Sequence, residues 1–279
     1  MLKEFLARHR FATFSVVTLA FSWTCWLLVL PGIQADLFKS SPGTLALFFA
    51  GAYGPSLCAI VLSAYFDGME GIRQLFRPRL GKLAALRWSM LAMLAGPLVY
   101  AAALALFSAM GGTPGAANHG LWAWVPVIVL VSLFLGPLAE ELGWRGYALR
   151  QFDLDREFGK ANVLLALVWA AWHAPLFWAA TGTAISGMPV TATSIALFTV
   201  AVLGSTWLYA WAYQRSNGSV LVAIMLHLSL NSSGTVSNWL FPDLPAAQKP
   251  LLYGAYVAAI WLLAGLVWAV LRLRARRAG

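Results

Sequence analysis

Long apolar runs, each closed by a short polar or charged segment, recur along the chain at roughly residues 11–31, 44–65, 88–109, 121–139, 162–180, 192–213, 219–238 and 251–271. Each is near the ~20 residues that a helix needs to cross ~30 Å of hydrocarbon. The pattern predicts an all-α polytopic membrane bundle of about eight transmembrane helices. The seventh run is interrupted after Leu226 by His227, Asn231, Ser232, Ser233 and Gly234. The first is too long for the apolar core of a cleavable signal peptide, so it reads as a retained helix. No linker, low-complexity tract or internal repeat divides the sequence, and the longest loops, near 66–87, 140–161 and 239–250, are too short for a second domain. Residues 1–279 are expected to form a single transmembrane domain.

Composition agrees with the periodicity. Apolar residues make up 61% of the chain, charged residues only 10%, and the mean hydropathy is +0.74, more apolar surface than a soluble domain of this length can bury. Charge tests the helix count independently. Seventeen of the 19 Lys and Arg fall in the first tail, in every second loop, or in the last tail, and the intervening loops hold only Lys39 and Lys249. Because basic residues are retained on the cytoplasmic side of short loops, both termini are expected to be cytoplasmic in a bacterial cytoplasmic membrane. The net charge of +9 is then explained by topology and by anionic headgroups of the lipid bilayer, and calls for no nucleic-acid partner. Cys25 and Cys58 fall inside helices one and two, where they read as small apolar packing.

Three runs carry a Gly-Pro pair, Gly54-Pro55, Gly96-Pro97 and Gly136-Pro137. Proline removes a donor and crowds the carbonyl four residues earlier, so each pair invites a kink that could splay the bundle into a cavity. The chemistry is concentrated near one of them. Eight of the ten Asp and Glu lie in tails or loops, leaving Glu140 and Glu141 at the end of the 121–139 run, and an ionisable group at membrane depth marks a functional site by default. Glu141 and Arg145 are spaced i, i+4 in the favourable order for a helical ion pair. Glu140 points roughly 100° away, free to face the interior.

His9 and His119 sit in a tail and a loop and read as solvated surface. His173 and His227 lie inside apolar runs, about 16 Å and 12 Å from the cytoplasmic start of helices five and seven at 1.5 Å per residue. Asn231 follows His227 by four residues and Trp169 precedes His173 by four, so each shares its histidine's face. Pro175 is placed to bend helix five. One carboxylate, two imidazoles, an amide and an aromatic neighbour thus fall at compatible depth, and the site is expected to open to the cytoplasm.

These residues resemble the CAAX prenyl protease and bacteriocin-processing (CPBP, or Abi) family of intramembrane glutamic proteases. Its Glu-Glu-x-x-x-Arg motif is matched at Glu140, Glu141 and Arg145; its Phe-x-x-x-His motif at Trp169 and His173, with Trp replacing Phe; and its His-x-x-x-Asn motif at His227 and Asn231. The motifs stand in family order over about residues 130–235. The resemblance implies peptide-bond hydrolysis by a water that Glu140 activates with help from His173, an oxyanion held by His227 and Asn231, no cofactor, and a membrane-anchored or lipidated peptide as substrate. Glu141, Arg145 and Trp169 would support the site. Glu140, His173 and His227 also constitute a possible two-His, one-carboxylate zinc set, although the His-Glu-x-x-His helix of many zinc proteases is absent. A serine mechanism would rest only on Gly54-Pro55-Ser56. The rival from another class is a non-proteolytic scaffold, immunity or transport protein on the same fold, for which a buried ion pair would suffice.

Overall fold

The computed structural model describes residues 1–186 and 188–278; the side chains of 270–279, and with them the tail arginines Arg272, Arg274, Arg276 and Arg277, lie outside the described residues. Among the described residues every regular element is helical. A short α1 (Leu2–Arg8) leads into α2 (Arg10–Val29), and α3 (Pro42–Ala52) into α4 (Gly54–Phe76). Then come α5 (Lys82–Ala109), α6 (Val125–Leu135), α7 (Pro137–Gly143), α8 (Leu154–Trp172), α9 (Ala192–Arg215), α10 (Val220–Leu240) and α11 (Lys249–Ala278). Leu91, Leu94, Leu98, Leu130, Phe134, Leu262 and Leu266 are exposed on the outside of the bundle, a surface suited to hydrocarbon rather than water. The protein is an integral, multi-pass membrane protein.

The structure agrees with the expected polytopic bundle and moves the bounds of one of its runs. Six helical stretches are long and apolar enough to cross a bilayer, and the α3–α4 pair, bent by 55°, makes up to seven. The expected fifth crossing is α8, which begins earlier than read, at Leu154, and ends at Trp172 rather than near residue 180. Its first two turns hold Asp155, Arg156, Glu157 and Lys160, so its apolar part, Ala161–Trp172, covers only about 18 Å at 1.5 Å per residue. Pro175 stops it, because a proline disfavours helical backbone in the residue before it, and the chain continues as a 3-10 turn, Ala174–Trp178.

Gly54-Pro55 and Gly136-Pro137 stand at helix breaks, whereas α5 runs continuously through Gly96-Pro97, and polar side chains satisfy what the prolines leave open. Pro97 cannot donate to the Met93 carbonyl four residues earlier. Ser229 of α10 donates to that carbonyl at 2.8 Å, and the Gly96 N–H donates to the same hydroxyl at 2.8 Å. A side chain at Gly96 would overlap the Ser229 backbone, so α5 and α10 approach closely only because residue 96 is glycine. At the second break Gly136 leaves helical geometry (φ −154°, ψ −71°) and separates α6 from α7. Tyr53 donates to the Phe134 carbonyl at 3.0 Å and Ser56 to the Leu138 carbonyl at 3.2 Å, which ties α7 to the start of α4.

The two ends of the bundle can be told apart by their contacts. At one end Arg10 pairs with Asp67 at 2.6 Å, Arg150 donates to the Gln74 carbonyl at 3.3 Å, and Gln214 donates to Asp155 at 2.8 Å. At the other, Asn118 bonds the Leu240 carbonyl through its backbone N–H at 2.8 Å, and the Thr113 N–H donates to Gln248 at 2.9 Å. The first end gathers the basic loops and the second carries Lys39 and Lys249.

Candidate active site

The turn after Gly136 builds the site. Helix α7 holds Glu140 and Glu141 and passes directly into a π-helical turn, Trp144–Ala148, a geometry frequent at functional sites. The expected Glu141–Arg145 pair is present and wholly buried: Arg145 Nη1 donates to both Glu141 oxygens, at 2.8 and 3.1 Å. Its Nε and Nη2 find no acceptor among the described residues. The guanidinium carbon instead lies 4.6 Å from the ring centres of both Trp169 and Tyr209, where the π-faces attract a desolvated cation. Sequence spacing missed a third partner: Glu141 Oε1 accepts from His227 Nδ1 at 2.8 Å across 86 residues. That bond fixes the ring and turns Nε2 toward the cavity.

Glu140 is 6% exposed. Its Oε2 accepts two indole N–H bonds, from Trp144 at 3.1 Å and from Trp169 at 2.6 Å. Trp169 is therefore more than an aromatic wall, because a phenylalanine has no N–H to give. The other oxygen faces the helix break. A Cβ on Gly136 would stand 2.9 Å from Asn231 Nδ2, 3.4 Å from Glu140 Oε1 and 3.6 Å from His227 Nε2. A carboxylate oxygen, an imidazole nitrogen and an amide donor thus converge beside the bare Gly136 Cα. Gly136 was legible in the sequence only as a kink, and its place at the centre of the site depends on α10 crossing the break. Asn231 is exposed to the cavity, whereas His227 one turn earlier is 3% exposed.

His173 is half-buried and caps the C-terminus of α8 rather than lying within a helix. Its Nδ1 donates to the Trp169 carbonyl at 2.8 Å, leaving Nε2 free, and Trp172 and Phe198 stack edge-on against its ring. Among the described residues no group of three His, Cys, Asp or Glu is arranged to hold a metal ion, so the Glu140, His173 and His227 zinc set is not assembled.

Glu140, Trp169, His173, His227 and Asn231 all line one cavity of about 700 Å³. Besides Asn231, its exposed lining residues are Leu135, beside the Gly136 break, and Ala180, Gly182, Ala184, Asn238, Pro242 and Lys249 around its mouth. Those at the mouth belong to the end with few basic residues. On the basic side Glu140 is closed off by Trp144, Arg145, Ala148 and Leu149, all fully buried. On the basic side α7 runs on into a packed turn, and the void lies behind the Gly136 break.

Comparison with known proteins finds likeness over the segment that holds these residues. Residues 122–233 match the family model of the type II CAAX prenyl endopeptidases, described as Rce1-like. A protein named CAAX prenyl protease 2, from Methanococcus maripaludis, is 29% identical over 108 residues, which are 39% of this chain and 39% of that relative. The match thus spans about two fifths of the relative's length. Glu140, Glu141, Arg145, Trp169, His173, His227 and Asn231 all fall inside residues 122–233.

Proposed function

From the premise that residues 122–233 are an Rce1-like segment, we propose that the chain is an intramembrane endopeptidase of glutamic type acting on a membrane-anchored or lipidated peptide. Glu140 takes a proton from a water seated beside Gly136, and the water oxygen adds to the scissile carbonyl carbon. The oxyanion that forms accepts a hydrogen bond from Asn231 Nδ2, and from His227 whenever Nε2 carries a proton. The proton held by Glu140 then passes to the amide nitrogen and the C–N bond breaks. His173 Nε2, free because Nδ1 is engaged, assists that transfer. Desolvation makes a carboxylate a stronger base and a nearby cation makes it a weaker one, so committing Arg145 to Glu141 suits Glu140 to the work. Fixed donors aimed at a developing oxyanion away from water contribute a few kcal/mol each.

The observation that carries this reading is the convergence of Glu140 Oε1, His227 Nε2 and Asn231 Nδ2 beside Gly136. The test is cleavage of a library of lipidated and unmodified membrane peptides by purified protein in lipid, comparing wild type with Glu140→Gln, each with and without a chelator. Cleavage by wild type alone, indifferent to chelator, is expected. Equal activity in the variant would remove Glu140 as the base, and loss with chelator would return the reading to zinc. A scaffold or immunity role would survive the substitution.

A further inference from the structure

We infer that the cavity is entered from the extracytoplasmic side of the membrane, so that the peptide bond presented to Glu140 belongs to the exported part of its substrate. The substrate half of this statement rests on the endopeptidase reading above; the access route does not. Three independent observations meet here. The contacts that tie Arg10 to Asp67, Arg150 to Gln74 and Gln214 to Asp155 define one end of the bundle, and among the described residues thirteen Lys and Arg, from Lys3 to Arg215, belong to it. Removing Arg145, buried in its ion pair, still leaves twelve against Lys39 and Lys249, a bias that sets the basic end in the cytoplasm.

The cavity runs the other way. Its floor is Glu140, Trp169 and His227, its wall includes Asn231 and Tyr253, and its rim is Ala180, Gly182, Ala184, Asn238, Pro242 and Lys249. These rim residues follow α8 and α10, in the segments that face the end opposite the basic loops. On the cytoplasmic side the site is capped by its own motif: Arg145 is turned inward to Glu141, and Trp144, Ala148 and Leu149 fill the space beneath. The residue that anchors the acids is thus also the plug, and a peptide approaching from the cytoplasm meets packed side chains.

The lining also limits what enters. Glu140 is its single carboxylate and Lys249, at the rim, its single Lys or Arg; the remaining polar groups include the hydroxyls of Thr181, Thr183, Ser186 and Ser237. An extended, uncharged segment fits such walls.

Single cysteines at Ala184 and Asn238, on the rim, and at Arg77 and Arg156, on the basic end, test the route in the full-length protein expressed in bacterial spheroplasts. Native Cys25 and Cys58 are buried and serve as background. A membrane-impermeant maleimide is expected to label Ala184→Cys and Asn238→Cys in intact spheroplasts, and Arg77→Cys and Arg156→Cys only after permeabilisation. The reverse pattern, or labelling of both sets before permeabilisation, would overturn the inference. Two positions on each side guard against one variant failing to fold. Labelling needs no cleavage, so the route stands or falls apart from the endopeptidase reading. The substrate half is then read by adding the maleimide to spheroplasts that carry Asn238→Cys and a cleavable reporter: processing should fall to the level of Glu140→Gln, and unchanged processing in labelled protein would place the substrate elsewhere.

Discussion

Glu140 and Glu141 are chemically identical neighbours that the fold separates by what each is given. Glu141 receives a guanidinium and an imidazole and has no exposed surface, while Glu140 receives two indoles and faces Gly136. Charge burial predicts how the first can be altered. Removing one partner of a buried ion pair strands the other and costs about 3–5 kcal/mol, whereas replacing both with apolar groups of similar shape is nearly neutral. Glu141→Gln should therefore lower the thermal unfolding midpoint in detergent sharply, and Glu141→Leu with Arg145→Met should recover most of it. The double variant should still cleave no faster than the single one, because His227 has lost the carboxylate that turns its ring. A double variant as unstable as the single one would sink the account of Arg145 as a stranded charge.

The elements that position these residues are short, broken helices, and the breaks are where the chemistry sits. Gly136 ends α6, Pro137 begins α7, and Glu140, His227 and Asn231 border the break between them. The atoms that a Cβ at Gly136 would meet are the far ends of the Asn231, Glu140 and His227 side chains, which can shift, so Gly136→Ala should fold. The added methyl, 2.9 Å from Asn231 Nδ2, should take the place of the water and lower kcat by about a hundredfold, the order lost when one oxyanion donor is removed. Normal kcat in a stable Gly136→Ala protein would place the water elsewhere. This element scale also separates what was legible from what was not. Intervals of four within a helix fixed the Glu141–Arg145 pair before any coordinates, because i, i+4 contacts are local. They were silent on the Glu141–His227 bond and on the Trp169 N–H to Glu140, which join segments 86 and 29 residues apart. The end of α8 was misplaced because an apolar run continues past Pro175 while the backbone does not. Ser229 drew no reading from the sequence, yet it supplies the hydrogen bond that Pro97 withholds from Met93.

At the scale of the whole molecule, the unresolved tension is between eight expected crossings and the six or seven that length and composition support. Helix α8 is the difference. Its apolar part covers about 18 Å, short of the ~30 Å hydrocarbon core, and its first turns are charged. It nevertheless carries Trp169 and is followed at once by His173, with Ala161, Leu165, Ala166 and Trp172 buried against neighbouring helices, chiefly α9 and α2. An apolar stretch this short does not span the hydrocarbon by itself, so α8 should depend on its neighbours to hold its place rather than insert alone. That dependence is measurable. A topology reporter fused after Met188 in a chain truncated there should remain on the same side as the basic loops, because α9 is missing. The same reporter inserted after Met188 in the full-length chain should appear on the opposite side, with Lys39 and Lys249. A truncated chain that exports the reporter would mean that α8 crosses unaided, and the burial of Trp169 and His173 would then owe nothing to the assembly of α9 around them.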